Sequence, residues 1–483
     1  MQATTVIYII AGYFLLLITI SFLTSRNANN ASFFLGNKKS PWYIVAFGMI
    51  SASLSGVTFI SVPGWVIDSN FSYMQMVLGY LVGYFVIANV LMPLYYRLNL
   101  TSIYTYLDKR FGYYSYKTGA SFFMLSRVIG AAFRLFLVAN VLQITVFNTL
   151  NIPFELTVII TILLIWLYTF KGGIKTIIWT DSLQTLFMLI AVGVSIYLIS
   201  KDMGLDFKGL VNTVSESKYS KVFFFEDINH PYYFFKQFFA GAFIAIVMTG
   251  LDQDMMQKNL SCRNIKEAKK NMYWFSLTLV PVNLMFMSLG VLLIVFSQQH
   301  GIPIPERSDD LFPLIAMQGY LPPVVSFFFI IGLVAAAYSS ADSALTALTT
   351  SFTVDILNTQ NLNEKKLKLV RKKVHVGVSV ALVIVILIFN AINNESVISA
   401  IFRVAGYTYG PLLGLYSFGL LTSRKVIDKF VPYIVIVSPI LCIAINHFSE
   451  ALFNGYKFGF ELLILNGFIT FVGLLIISNK KDN

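Results

Sequence analysis

The residues best placed to do chemistry are oxygen donors and charges set in apolar surroundings. The stretch GLVAAAYSSADSALTALTTSF, 332–352, holds Ala336, Ser339, Ser340 and Ser343 at i, i+3, i+4 and i+7, one face of a helix. Three hydroxyls on one stripe suit a hard cation that takes oxygen ligands. A small-residue packing face, with serines bonded back to their own helix, has the same pattern. Two carboxylates lie in similar surroundings. Asp342 stands beside the stripe, about 60° from Ser339 around the helix. Asp181, in IIWTDSLQ, falls near the start of an apolar helix, where the alternative role is an N-terminal cap. A carboxylate inside an apolar span is costly and points to function.

Two further stretches qualify. SASLSGVTFISVPG, 51–64, is dense in hydroxyls at Ser51, Ser53, Ser55, Thr58 and Ser61, and Gly56 and Pro63 can interrupt its helix. Unwound carbonyls there would face a cation or a substrate, because irregular backbone is tolerated at membrane depth only where it lines a cavity. The alternative is a kinked packing helix. SRVIGAAFRLF carries Arg127 and Arg134 seven residues apart, on one face and about 10 Å apart along the axis. Such an arginine can clamp a carboxylate with two parallel bonds. It can equally pair with an internal aspartate as structural glue. The four histidines show no metal-ligand spacing. No GxxxxGK[ST], GxSxG or HExxH pattern occurs, so neither ATP drive nor a familiar hydrolase is indicated, and KGGIKT at 171–176 has no strand before it. Cys262 in a basic loop and Cys442 in an apolar run give no disulfide framework.

These residues need elements that hold them in an apolar medium. The chain of 483 residues is 57% hydrophobic and only 12% charged, with mean hydropathy +0.73. A soluble globular chain carries about 25% charged residues. The apolar runs are long and unbroken, which excludes a β-barrel. What remains is an all-α integral membrane protein. Thirteen segments are long and apolar enough for spans: roughly 5–24, 42–67, 75–96, 118–147, 155–170, 177–199, 234–251, 272–297, 324–353, 375–392, 396–420, 430–447 and 460–478. The basic residues test this number. Lys201, Lys208, Lys218, Lys221, Arg307 and Lys457 fall on one side, and Arg127, Arg134, Lys236 and Arg403 fall within spans. The rest of the 35, those of TGLDQDMMQKNLSCRNIKEAKK included, fall on the other side. Cytoplasmic loops carry the excess of Lys and Arg, so the N-terminus is expected outside and the C-terminus inside. The net charge of +12 is read the same way, with no nucleic-acid partner. The N-terminal run lacks a small-residue cleavage site and reads as a retained span. The basic run EKKLKLVRKKVH, 364–375, reads as a solvated face toward the headgroups.

The segmentation divides into an N-terminal span with its inside loop (1–41), a five-helix unit (42–199), an outside loop (200–233), a second five-helix unit (234–420) and two C-terminal spans (421–483). Five is odd, so the units have opposite topology, the inverted repeat of many secondary transporters. The first helix of each unit has breaker signals: Gly48, Gly56, Pro63 and Gly64 in one, Gly241 and TGLDQD in the other.

Taken together, FFLGNKKSPW, KGGIKTIIWTDSLQ, TGLDQDMMQKNLSCRNIKEAKK, AAAYSSADSALTALTTSFTVDI and GYTYGPLLGLYSFG, in that order from residue 33 to about 420, resemble the sodium/solute symporter family. That family includes sodium-coupled sugar, proline, pantothenate, iodide, monocarboxylate and sialic acid carriers. The resemblance implies a LeuT-type inverted-repeat core with one extra N-terminal span. It implies a principal sodium site formed by carbonyls of Ser51, Leu54 and Ala336 and hydroxyls of Ser339 and Ser340. It also implies a second sodium site at Asp181, Ser339 and Ser343, with Asp342 beside it where members with that site carry Ser. Ser55 and Thr58 match positions that touch the substrate carboxylate in sialic acid carriers. The partner arginine of those carriers aligns nearer Gly130, flanked here by Arg127 and Arg134. Their glutamine aligns with Val77, with Tyr73 and Gln75 as nearby substitutes.

The expected protein is therefore a sodium-coupled symporter of a small, anionic organic solute, a sialic acid-like sugar acid or carboxylate, working by alternating access. It is expected to act as a monomer in a cell membrane of bacterial inner-membrane type, with sodium as coupling ion, no other cofactor and no enzymatic activity. A carrier of a neutral sugar or amino acid, driven by sodium or by protons, is the alternative. A membrane enzyme would need an inward-facing catalytic set, and a channel would pass rapid uncoupled current.

Overall fold

In lipid every backbone polar group must be satisfied within the protein, and an unbroken apolar run of this length does so within itself as a helix. The computed structural model describes residues 3–25, 38–100, 102–172, 174–359, 362–392 and 396–479. The loop expected after the first span, and residues 33–37 of FFLGNKKSPW, lie outside them.

The first half contains α1 (Ala3–Ser25), α2 (Trp42–Ser53), α3 (Gly56–Ser69), α4 (Tyr73–Val86), α5 (Met92–Leu98), α6 (Thr105–Arg110), α7 (Tyr113–Leu142), α8 (Phe154–Gly172) and α9 (Ile174–Asp202). After the short α10 (Phe207–Ser215) come α11 (Phe234–Ala245), α12 (Gln253–Leu260), α13 (Ile265–His300), α14 (Leu311–Met317), α15 (Pro323–Ser351), α16 (Glu364–Ile392), α17 (Val397–Thr408) and α18 (Gly410–Leu421). The chain closes with α19 (Val431–His447), α20 (Ser449–Leu452) and α21 (Leu462–Ile476). Among the described residues, eight helices are long and apolar enough to cross a membrane, or ten if two bent pairs each count as one span. The thirteen expected segments all overlap helices, but Val397–Thr408, Gly410–Leu421 and Leu462–Ile476 among them are shorter apolar helices. A two-residue antiparallel pairing, Lys425–Val426 with Ser478–Asn479, ties the end of α18 to the end of α21.

The two bent pairs follow one logic. α2 ends at Leu54, whose φ of −90° and ψ of 77° leave the helical region. Ser55 then caps α3, its hydroxyl accepting from Val57 N. The halves meet at 55°. Pro63 lies inside α3 and does not make the break. In the second pair a π-turn at Ile246–Gly250 extends α11, and Asp252 caps α12 by accepting from Asp254 N and Met255 N. These halves meet at 66°. Short polar caps draw backbone donors out of a continuous helix, and here they restart one in a new direction.

Three expectations need correction. Gln253–Leu260, taken as the start of a basic inside loop, is a helix whose residues are all buried. The basic run 364–375, expected to lie in a loop, is instead the first part of α16, and most of it is exposed as a solvated face would be. The stretch 396–420 is two helices meeting at Tyr409.

Glycines set the closest backbone approaches. A Cβ on Gly79 would meet the Phe238 carbonyl, one on Gly83 the Ala242 carbonyl, and one on Gly241 the Met76 carbonyl. Small residues let helix backbones touch without a side chain between them. α4 and α11 are therefore locked face to face beside the second break.

Candidate functional site

The first break lies against the middle of α15. Ser51, in the last turn of α2, shares a hydrogen bond of 2.8 Å with the Ser339 hydroxyl. Ser51 also donates to the Asp181 carbonyl at 3.0 Å. The last four carbonyls of a helix lack partners within it. Ser51 carries one of these, and Leu54 sits in the break itself. Across from them Ala336, Ser339 and Ser340 are buried. Ser340 returns to the Ala336 carbonyl only at 3.5 Å, too long to occupy either oxygen fully. The structure thus joins Ser51, beside the break that holds Leu54, to Ser339 on the helix that also carries Ala336 and Ser340.

A cavity of about 80 Å³ opens beside this junction. Leu54, Ser55, Thr58, Tyr73, Arg127 and Arg134 of the expected residues line it. Gln75 does not. Its amide donates to the Tyr232 carbonyl at 2.9 Å and accepts from Phe224 N at 3.2 Å, so it pins the loop that follows α10. Tyr73 shares a 3.2 Å hydrogen bond with Tyr80. An aromatic layer of Trp65, Tyr73, Phe402 and Phe460 closes one end, with neighbouring ring centroids 5.1–6.2 Å apart. Phe402 lines this cavity and a second one of about 210 Å³ beyond the layer.

The two arginines have different surroundings. Arg127 is buried and its guanidinium lies 2.5 Å from Asp254 and 3.7 Å from Asp252. Asp252 in turn accepts from the Tyr409 hydroxyl at 2.9 Å. Arg127 thus pairs with internal aspartates, one of the two roles its spacing left open, and it also lines the cavity. Arg134 lines the cavity with no carboxylate at ion-pair distance and no hydrogen bond among the described residues.

Asp181 is the eighth residue of α9 and does not cap it. One of its oxygens accepts from Ser339 at 2.9 Å, and the other lies 2.8 Å from the ammonium of Lys258. Lys258 is 1% exposed and also lies 3.7 Å from Asp254. Asp342 is buried within electrostatic reach of the same ammonium. Ser343 is buried, and its hydroxyl has no hydrogen-bond partner among the described residues. Arg127, Asp254, Lys258, Asp181, Ser339 and Ser51 therefore form one polar ladder from the cavity to the oxygen junction.

Sequence reasoning missed Lys258 because it counted that residue with the loop charges. It also missed Asn283, which lines the cavity from α13. The Asn283 amide donates to Leu279 of its own helix, and its buried carbonyl oxygen has no partner among the described residues. An Asn inside an apolar span was the available signal.

A bundle of apolar helices with two broken spans, oxygen donors at one break and a cavity that carries two arginines is the build of a membrane transporter. The relatives agree. A solved Na+-coupled sialic acid symporter, in a substrate-bound outward-open state, matches with a TM-score of 0.81 at 20% identity, over 99% of each chain. Mhp1, a nucleobase-cation-symport-1 transporter in a closed conformation, matches with 0.59 at 13% identity, over 93% of this chain and 94% of the other. The fold is thus the LeuT-like fold expected from the sequence. The family model for the sodium:solute symporter family matches residues 33–426. The chain belongs to that family, a sodium-coupled transporter with Na+ as its coupling ion. Among curated relatives, the sodium/sialic acid symporter NanT of Aliivibrio fischeri is 26% identical over 83% of this chain and 80% of its own length. The sodium/sialic acid symporter SiaT of Proteus mirabilis is 25% identical over 96% and 94%.

Proposed function

We propose that this protein imports an anionic sugar acid or related carboxylate with sodium by alternating access. The observation that carries the substrate class is Arg134, a guanidinium on the cavity wall with no protein carboxylate at ion-pair distance among the described residues. A charge in a membrane interior is costly unless it is paired, and a substrate carboxylate supplies the pair. The names of the two bacterial relatives support the same class. A neutral substrate would leave that charge without a partner.

Sodium binds where carbonyls of Ser51, Leu54 and Ala336 meet the hydroxyls of Ser339 and Ser340. It ties the first break to α15, and the solute binds beside it against Ser55, Thr58 and Arg134. Sodium drives the cycle only by binding one state more tightly than the other. At about 80 Å³ the cavity is well below the roughly 300–1,000 Å³ of ordinary ligand pockets. A sugar acid therefore enters when the aromatic layer at Phe402 moves aside, joining this cavity to the larger one. Residues 42–199 and 234–420 act as inverted repeats, each opening with a broken span. Thirteen spans place the N-terminus outside and the C-terminus inside, in a bacterial inner membrane.

Replacing Ser340 tests the sodium site. Ser340→Ala removes one oxygen ligand and raises the sodium concentration for half-maximal uptake by about tenfold, or about 1.4 kcal/mol. An unchanged value would remove Ser340 from the site.

A further inference from the structure

The second sodium site implied by family resemblance does not fit a free ion in this chain. Its ligands would be Asp181, Ser339 and Ser343, with Asp342 beside them. The Asp181 carboxylate is already spent. One oxygen holds the Ser339 hydroxyl and the other faces the Lys258 ammonium at 2.8 Å. Asp254 adds a second carboxylate at 3.7 Å, and Asp342 acts on the same ammonium. An ammonium presents its charge and three donors to oxygen atoms, as a small cation presents its charge. A sodium ion added here would share the Asp181 carboxylate with a positive charge already touching it. In a dry interior that repulsion is large.

Placement of Lys258 follows from the second break. Asp252 caps α12 and turns it inward, so Lys258 enters the bundle from a buried helix. It is 1% exposed and cannot trade its ammonium for water without moving α12.

We infer that Lys258 is a tethered cation filling the second cation position, so that the transporter couples one sodium per cycle. The inference rests on the sodium site proposed above. A tethered cation holds α9 to α12 in every state and never leaves, so it draws nothing from the sodium gradient. Accumulation of solute then depends on the first power of that gradient.

Sodium stoichiometry tests this, using the full-length protein and radioactive sodium alone, with no solute present. Wild-type protein is expected to bind one ion at saturation. Lys258→Met keeps the length of the side chain and removes its charge, and it is expected to bind two. Lys258→Met with Asp181→Asn returns to one. Lys258→Arg keeps the charge and stays at one. Removing one partner of a buried pair weakens a fold, so the wild-type value is the primary readout. Two ions on wild-type protein would overturn the inference and leave the principal site standing, provided Ser340→Ala removes one of them. One ion on a folded Lys258→Met protein would also overturn it. No bound sodium on wild-type protein would overturn the principal site and the inference together.

Discussion

Arg127 and Arg134 share a helix face, yet among the described residues only Arg127 has a carboxylate at ion-pair distance. The proposed clamp rests on that difference. Both line the cavity, but Arg127 is held by Asp254 beside the second break, whereas Arg134 has no such partner among the described residues. Arg134→Ala should lower sodium-driven uptake of a radiolabelled sialic acid into proteoliposomes about ten- to a hundredfold, the loss expected for a hydrogen bond to a charged group. Arg134→Lys should keep part of it. Equal uptake by Arg134→Ala and wild type would remove the clamp. Residue types and spacing made the serine stripe, Asp181 and both arginines legible in the sequence. The choice between the arginines was not legible. Arg127 meets Asp254 across a sequence separation of 127, and only the bend after Gly250 brings them together. Lys258 was hidden by the same bend, because a lysine among other basic residues reads as a loop.

At the scale of elements, the breaks and the glycine contacts do different jobs. The breaks supply polar backbone and caps, and the contacts keep α4 and α11 in one register. A Cβ on Gly241 would overlap the Met76 carbonyl, and backbone cannot step aside as a side chain can. Gly241→Leu should therefore cost about 3 kcal/mol or more, at the upper end for overpacking, and lower Tm in detergent. Gly193 on α9 has open space around it, so Gly193→Leu is the matched control. A Tm equally indifferent to both would show that α4 and α11 tolerate separation. The first break was readable from the density of Ser, Gly and Pro, although Pro63 turned out to sit within α3. The second was readable in part, since TGLDQD holds the Asp252 cap. Its continuation as α12 was not, because Gln253–Leu260 is polar in sequence and its burial is decided by the helices around it.

At the scale of the whole molecule, the proposed orientation rests on the distribution of Lys and Arg. Cys262 and Cys442 are both buried, which gives a quiet background for thiol labelling. In right-side-out vesicles a membrane-impermeant maleimide should label Lys218→Cys and leave Lys366→Cys untouched, since both positions are exposed but lie on opposite proposed faces. The reverse pattern would invert the topology. The helices themselves were legible almost throughout, because in lipid a long apolar run has one solution. Their assembly was not, because lipid-facing and buried faces of a span carry similar residues.

The polar ladder also sets an order of events during biosynthesis. Arg127 leaves the ribosome 127 residues before Asp254, its partner. At about 5–20 residues per second that gap lasts roughly 6–25 s. Asp181 likewise precedes Lys258. During this interval α7 and α9 carry buried charges that nothing yet neutralises, and lipid is a poor place to hold them. The nascent chain must keep these two helices in a sheltered, hydrated setting until α12 arrives. The ion pairs of the finished transporter thus close only when the second half has been made.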